Sequence, residues 1–428
     1  MPIYEYLNEF SEISFHMPGH KGNIPVPIVD VTELSGTDNL MCPDGIIKEA
    51  QEKMAKVLGK KEAFFLTGGA TGGILASILA TVTPGETVLV DRNCHASVIH
   101  GLILAGGIPK FVYPKINEEF GIPCPLSAED IDYNGEKILI VTSPTYYGEV
   151  ANIKEIRETV GDITIIQDEA HGAHFYFDDS LVSCRTNEAD LSVLSFHKTM
   201  PTLNQGAVLC CNTDKIPSKK IKQAINMVHT TSPSYPVLSS LDYSGSFGKE
   251  LYQNTLVSEK IKELSKELTE KTPLKILANQ DSYKLLLNCD GTNYSAEELD
   301  KYLQKNYKIY AEGVFGNNLL LMFSPCNTAD EIRILSDALL ELPWEQKEGT
   351  KTTKTTYPLV KLHQKMLPRD AYFAEGECIP AKEAVGRISK ENITRFPPCV
   401  PIVTVGEELS EEAVGLIGKD TIYVVTKL

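Results

Sequence analysis

The apolar positions of this chain change their period along its length, and the change is clearest between residues 63 and 211. Short continuous apolar runs alternate there with longer stretches of helical period. The run 63–66 is followed by strand candidates at 86–90, 110–113, 137–142, 162–167, 191–196 and 207–211. Helix candidates lie between them at 71–81, 96–105 and 153–160. This alternation predicts an α/β fold whose mainly parallel, seven-stranded sheet is covered by helices on both faces.

The flanking regions predict smaller units around this sheet. One long charged helix is expected at 248–271, and a smaller α/β unit follows it. Its strands are expected near 283–287, 308–311 and 319–323, and its helices near 296–304 and 330–342. The polar stretch 347–354 is typical of an exposed linker. The predicted division is an N-terminal segment at 1–62 with a helix at 45–58, a large domain at 63–245, a small α/β domain at 246–346 and a C-terminal segment at 355–428.

Composition narrows the class of protein. The chain has 428 residues, 42% hydrophobic and 23% charged, which is ordinary for a globular protein with a large core. A net charge of −16 argues against nucleic acid or an anionic membrane as partner. The ten cysteines contain no CxxC pair, the first residues are polar, and no apolar run reaches membrane-spanning length. We therefore expect a cytoplasmic protein with reduced thiols.

A lysine and an aspartate stand where two of the predicted strands end. Lys198 follows the run 191–196, and Asp168 closes the run 163–167. Ligands of parallel sheets sit at the carboxyl ends of strands, so the two side chains are expected at one site. A lysine amine can form an imine with a carbonyl cofactor, and a carboxylate can keep a pyridine nitrogen protonated. This pair predicts a site for pyridoxal 5'-phosphate (PLP).

Two further elements upstream complete that set. A glycine-rich turn at 67–73, with Gly69, Ala70 and Thr71 at its centre, opens a predicted helix. The free N–H groups and positive dipole of a helix N-terminus favour a phosphate. His95 follows the strand-like run 87–90, where a flat side chain could stack on the cofactor ring. The order of glycine-rich turn, histidine, aspartate and lysine favours a PLP enzyme.

Several longer stretches resemble the Orn/Lys/Arg decarboxylase family, the bacterial-type basic amino acid decarboxylases with the aminotransferase-like fold. The resemblance runs from residue 14 to about residue 407. The stretches that carry it are SFHMPGHKG at 14–22, DRNCH at 91–95, SPTYYG at 143–148, DEAHGAH at 168–174, SFHKT at 195–199, TTSPSYP at 230–236, GRIS at 386–389 and FPP at 396–398. The resemblance implies a PLP-dependent large domain followed by a smaller α/β domain and a C-terminal segment of decarboxylase type.

The resemblance also implies roles for individual residues around the cofactor. Ser195 and His197 match the family's phosphate contacts, and His171 matches a contact to the cofactor or to the substrate carboxylate. Thr231 and Ser232 match an element that reaches the phosphate from a neighbouring subunit. The family's long members carry an N-terminal receiver-like domain that drives decamer assembly, and the matching motif begins here at residue 14. We therefore expect a homodimer with shared active sites, with pairing into a tetramer as the alternative.

The match to the family's C-terminal segment implies that Glu407 receives the distal cation of the substrate. Cys399 and Val405 replace a usual glycine and a usual proline there, and Arg395 stands where proline is common. Ala70 likewise replaces a hydroxyl-bearing residue of the phosphate turn. These changes affect the loop that reads the substrate side chain and the number of side-chain donors to the phosphate.

The implied reaction is decarboxylation of lysine, arginine or ornithine to the corresponding polyamine-type amine and carbon dioxide. Lys198 and His197 are both candidates for the proton donor to Cα. Another PLP reaction on this scaffold, by a lyase, aldolase or aminotransferase, is one alternative, and a non-catalytic relative is another. His171 and His174 have a spacing that metal ligands also use, but no third ligand is evident, and we predict no metal site.

Overall fold

Seven strands form the central sheet of the computed structural model, which describes residues 12–24, 29–347, 359–395 and 399–426. In spatial order they are Glu62–Leu66, Ala207–Cys211, Leu191–Leu194, Thr164–Asp168, Ile138–Thr142, Thr87–Asp91 and Ile108–Val112. Ala207–Cys211 runs antiparallel to both of its neighbours, and the other pairings in this sheet are parallel. The predicted seven-stranded, mainly parallel sheet is confirmed.

The register of the middle strands places the carboxyl ends of neighbouring strands side by side. Thr142 pairs with Asp168, and Asp168 in turn pairs with Val193. The chain leaves the third of these strands through the single helical turn Phe196–Thr199, which carries Lys198. Asp168 and Lys198 therefore meet at the same edge of the sheet, as the sequence predicts.

Helices cover both faces because side chains alternate along each strand. Val88 and Val90 belong to one buried cluster, whereas Leu89 belongs to another on the opposite face. The first face carries Gly69–Thr81, Ala96–Ala105 and Ser218–Val228, and the second carries Ile153–Val160. The predicted helices agree with these bounds, except that the first begins at Gly69 rather than at residue 71.

A four-stranded antiparallel sheet forms the smaller α/β unit. Its strands, in spatial order, are Lys275–Ile276, Lys284–Asn288, Asn318–Met322 and Gly313–Phe315, and its helices are Ala296–Tyr307 and Ala329–Leu340. Ile13–Phe15 pairs in parallel with Ile309–Ala311, so the N-terminal segment is attached to this unit. The helix Ile46–Leu58 follows in that segment, and the short strands Ile116–Asn117 and Ile122–Pro123 form a separate pair.

The expected single helix at 248–271 is wrong. Tyr235–Asn254 and Val257–Lys271 are separate helices, and the first also crosses the predicted domain boundary at residue 245. Thr255 breaks the run because its backbone is extended and its Oγ1 accepts a hydrogen bond from Val257 N at 3.2 Å. A threonine hydroxyl that bonds nearby backbone competes with helix continuation. The division into domains remains a prediction.

The C-terminal segment has its own small core. Gly376–Pro380 pairs with Thr421–Val425, and Ile393–Arg395 pairs with Val400–Val403. The helices Pro368–Phe373 and Glu411–Ile417 accompany these strands. The predicted linker at 347–354 falls outside the described residues after residue 347, as do the motif residues 396–398. None of the helices in the described ranges is both long and apolar enough to cross a membrane.

Gly73 sets how closely the helix Gly69–Thr81 approaches the sheet. A Cβ at Gly73 would lie 2.6 Å from Val193 Cγ1 and 2.8 Å from Leu66 Cδ1. We predict that Gly73→Ala lowers the free energy of unfolding by about 1–3 kcal/mol, because such overpacking must displace the helix. Urea unfolding of the cofactor-free protein measures this.

Gly72→Ala is the matched control, because a Cβ at Gly72 meets nothing within 4 Å. Its stability should stay unchanged or rise by up to about 1 kcal/mol, as expected for alanine replacing glycine inside a helix. Equal losses in the two variants would contradict the packing argument.

Candidate active site at the carboxyl ends of the strands

A cavity of about 210 Å³ opens at the carboxyl ends of the parallel strands. Nine of the predicted site residues line it: Gly69, Ala70, Thr71, His95, Asp168, His171, Ser195, His197 and Lys198. These residues come from four chain segments that are far apart in the sequence. The structure therefore brings together the glycine-rich turn, the histidine, the aspartate and the lysine of the predicted set.

Lys198 contacts a neutral histidine in this cavity. Its Nζ lies 3.0 Å from His171 Nε2. Burial lowers the pKa of Lys198, while the nearby charge of Asp168 opposes that shift. Burial, with Lys198 next in importance, lowers the pKa of His171 well below its usual value. The imidazole is therefore uncharged near neutral pH, and it can exchange a hydrogen bond with the lysine amine in either protonation state.

The Asp168 carboxylate is buried at the floor of the cavity. Its side chain is only 5% exposed, and its Oδ1 accepts a hydrogen bond from Ala170 N at 3.2 Å. Within the described ranges no other hydrogen bond to this carboxylate is formed. A carboxylate with spare acceptor capacity, beside a cavity wide enough for a ring, suits a protonated ring nitrogen.

His95 forms part of the cavity wall and also caps a helix. It precedes Ala96–Ala105, and its Nδ1 accepts a hydrogen bond from Ser97 N at 3.1 Å. Because Nδ1 is the acceptor, the proton of the neutral ring sits on Nε2. Burial lowers the pKa of His95, with the charge of Asp168 acting in the opposite direction. A neutral, fixed, flat ring results, as a stacking role requires.

The glycine-rich turn begins its helix beside the cavity. Gly69 has a φ of +75°, and its N–H donates to Gln205 O at 2.8 Å. The N–H groups of the following first turn have no acceptor within the helix, and Ala70 and Thr71 line the cavity. This backbone presents donors to an anion without requiring a hydroxyl at Ala70.

His197 also lines the cavity, and its ring is fixed by hydrogen bonds. Its Nδ1 lies 3.2 Å from Gly206 O and 3.1 Å from Ser195 Oγ. A carbonyl oxygen can only accept, so Nδ1 carries the proton and Nε2 is the free acceptor. Burial is the main cause that lowers the pKa of His197 to about 4. Like His95 and His171, it is a neutral ring near neutral pH.

Three predicted residues do not reach the cavity of this chain. Thr231 and Ser232 are exposed and do not line it. Glu407 is fully buried elsewhere: its Oε2 accepts from Thr404 N at 2.6 Å and lies 3.5 Å from Arg92 Nη2. The expected contact of Glu407 with substrate stays a prediction, and Arg92 already neutralises its carboxylate here.

Tyr146 and Glu312, beside the cavity, were not predicted as site residues. Tyr146 lines the cavity, and its ring centroid lies 4.9 Å from that of His171. Its hydroxyl donates to Glu312 Oε1. Tyr146 belongs to the stretch 143–148 quoted above, so a signal for it was available. Glu312 has no such signal, because it lies in the smaller α/β unit, far from every quoted motif.

His174 contacts Asp281 rather than sharing a ligand with His171. Its Nε2 lies 2.8 Å from Asp281 Oδ1, and both side chains are buried. No group of three or more potential metal ligands occurs among the residues that the structure describes.

The elements described above define an α/β protein with the aminotransferase-like fold. Residues 1–285 match the sequence model of the family described as "Orn/Lys/Arg decarboxylase, major domain". The chain belongs to this family. The family membership and the enzyme class that the sequence predicts, an amino acid decarboxylase, are therefore confirmed.

The similarity to known relatives extends over almost the whole chain. An arginine decarboxylase of Bacillus subtilis (strain 168) is 29% identical, covering 98% of this chain and 93% of that protein. The uncharacterized protein YaaO of the same organism is 32% identical, covering 96% and 92%. The lysine decarboxylase LdcF of Francisella novicida has the same fold, with a TM-score of 0.77 at 18% identity, covering 91% of this chain and 73% of that one.

The lowered pKa of His197 predicts a loss of stability in mild acid. The unfolded chain, with an ordinary histidine pKa of 6.5, binds more protons than the folded protein between pH 6.5 and about 4. Stability therefore falls as the pH falls through that window. Between pH 7 and pH 5 the His197 contribution is about 1–2 kcal/mol. His95 and His171 add to it with the same sign, because burial lowers their pKa values too.

His197→Gln should reduce this loss by that amount, because glutamine does not titrate and its amide can still donate to Gly206 O. Urea unfolding of cofactor-free protein at pH 7 and pH 5 measures the difference. An identical loss in the wild type and the variant would show that His197 is not held neutral by the fold.

Proposed function

We propose that the protein decarboxylates a basic amino acid, namely lysine, arginine or ornithine, with PLP as its cofactor. One observation carries the proposal: the amine of the half-buried Lys198 lies 3.0 Å from neutral His171 in the cavity that Asp168 lines. The arginine and lysine decarboxylases among the relatives support a basic substrate.

The residues of the cavity fit PLP. Lys198 would hold its aldehyde, Asp168 its ring nitrogen and His95 the face of its ring. Gly69, Ala70, Thr71, Ser195 and His197 would hold its phosphate. His171 Nδ1 is buried without a hydrogen-bond partner among the described residues, as expected of a group that awaits a ligand. When bound, PLP supplies an electron sink for the electrons of the broken bond between Cα and the carboxylate.

The chain's own residues would handle the protons. Burial favours the neutral, nucleophilic amine of Lys198. His171 Nε2 is close enough to form a hydrogen bond with Lys198 Nζ and so to orient the amine. Protonation of Cα would then come from Lys198 or from His197.

Lys198→Ala tests the proposal. We expect no release of carbon dioxide from lysine, arginine or ornithine and no cofactor that borohydride fixes covalently to the chain, because the attachment point is removed. Manometry measures the carbon dioxide, and the intact mass of the borohydride-treated protein measures the attachment. Lys222→Ala changes an exposed lysine and should keep both properties. Activity in the Lys198 variant at even a few per cent of the wild type would refute this mechanism.

We further propose a homodimer in which Thr231 and Ser232 contact the phosphate bound by the partner subunit. Their exposure, and their absence from the cavity of their own chain, support a role in the partner's cavity. The cytoplasm is the proposed location, because all ten cysteines are free.

Mixed dimers test the shared site. Lys198→Ala inactivates the site of its own chain. The double variant Thr231→Val with Ser232→Ala should instead weaken the site of its partner. After the two proteins are dissociated and reassociated together, about half of the dimers are mixed, and each mixed dimer has one intact site of two. About a quarter of the wild-type activity should therefore return. Activity that stays at the sum of the two separate variants would refute the shared site.

A further inference from the structure

Glu312 is a half-buried carboxylate that accepts hydrogen bonds from two uncharged donors. It stands between the strands Ile309–Ala311 and Gly313–Phe315 of the smaller unit. Its Oε1 accepts from the Tyr146 hydroxyl, and its Oε2 accepts from Met17 N at 2.9 Å. Within the described ranges no lysine, arginine or histidine nitrogen lies within 4.0 Å of it. A carboxylate withdrawn from water in this way favours the approach of a cation.

A short chain of contacts links Glu312 to the reacting end of the cavity. The Tyr146 hydroxyl contacts Glu312, and the Tyr146 ring lies 4.9 Å from the ring of His171. His171 in turn lies 3.0 Å from Lys198 Nζ. The negative charge of Glu312 acts on the Lys198 amine, because it opposes the lowering of the Lys198 pKa by burial. Glu312 is thus one side chain removed from the cavity, on the side of the smaller unit.

Other acidic groups near the cavity are already engaged. Asp168 suits the ring nitrogen of the cofactor, and Arg92 neutralises Glu407. Asp91 accepts from Asn93 N and Thr142 N between the strands, and burial raises its pKa to about 7. Glu312 has no cation within 4.0 Å among the described residues, although its charge acts on Lys21 and Lys198 from further away. Each of its oxygens accepts one hydrogen bond and keeps a further lone pair.

We propose that Glu312 is a specificity-determining residue, whose carboxylate receives the distal ammonium or guanidinium group of the substrate. The inference rests on the proposed function, because it concerns the substrate of that same cavity. Met17 N and the Tyr146 hydroxyl fix the carboxylate in place, so little side-chain entropy is lost when the cation arrives. The N-terminal segment and the smaller unit thereby bind the distal end of the substrate, while the large domain holds the cofactor.

The test compares a cationic with a neutral ligand of similar length. For Glu312→Gln holoenzyme, KM for the preferred basic amino acid should rise at least tenfold, because the paired charge is lost. The inhibition constant of norleucine, which lacks the distal cation, should stay within threefold of the wild type. Glu312→Asp should recover part of the affinity, since it keeps the charge. A merely structural role would move both constants together.

Two variants serve as controls. Glu341→Gln alters an exposed glutamate of the same unit that also lies near a tyrosine hydroxyl, that of Tyr307 at 3.5 Å, and it should leave both constants unchanged. Glu407→Gln tests the residue predicted from the sequence. A tenfold rise in KM for Glu407→Gln, with none for Glu312→Gln, would overturn our inference in favour of Glu407.

Failure of the proposed function gives a different result. A wild-type holoenzyme that releases carbon dioxide from none of the three basic amino acids would refute decarboxylation. Titration of the cofactor absorbance with lysine, arginine or ornithine against norleucine still tests Glu312 in that event. Loss of the preference for the cationic ligand in Glu312→Gln supports the assignment, and an unchanged preference overturns it.

Discussion

The parallel register of three neighbouring strands is the constraint on which the active site depends. Because Thr142 pairs with Asp168 and Asp168 with Val193, the turn after each strand opens at the same edge of the sheet. A shift of one residue would turn Asp168 to the opposite face. Burial of both faces resists such a shift, since Ile165 and Ile166 are both fully buried, on opposite faces.

Burial also determines the charge state of the cavity. His95, His171 and His197 are all held neutral, because each loses hydration and each lies near Lys198. Their hydrogen bonds then fix the tautomers of His95 and His197, with Nδ1 accepting in the first and donating in the second. The cavity therefore offers both N–H donors and bare nitrogen acceptors from one residue type. A lysine amine in such surroundings is a better nucleophile than an exposed one.

The sequence predicted the sheet and nine of the residues that line the cavity, because both depend on local features. An apolar run ending in Asp168 or near Lys198 specifies a strand and its carboxyl end without knowledge of the rest. The contact between Tyr146 and Glu312 joins positions 166 apart in sequence and depends on how the smaller unit packs, which no periodicity records. The break at Thr255 was not predicted because it is very local. One hydrogen bond to the threonine hydroxyl interrupts an otherwise continuous helical pattern.

The N-terminal motif shows how the separate units meet at one point. Gly19 N donates to His197 O at 2.7 Å, and a Cβ at Gly19 would lie 2.7 Å from Met200 O. Two residues earlier, Met17 N donates to Glu312. The same short segment therefore touches the turn that carries Lys198 and the carboxylate of the smaller unit. Movement of the smaller unit relative to the sheet would strain these contacts at once, so the distance between the Lys198 amine and Glu312 is held by the backbone of residues 17–19.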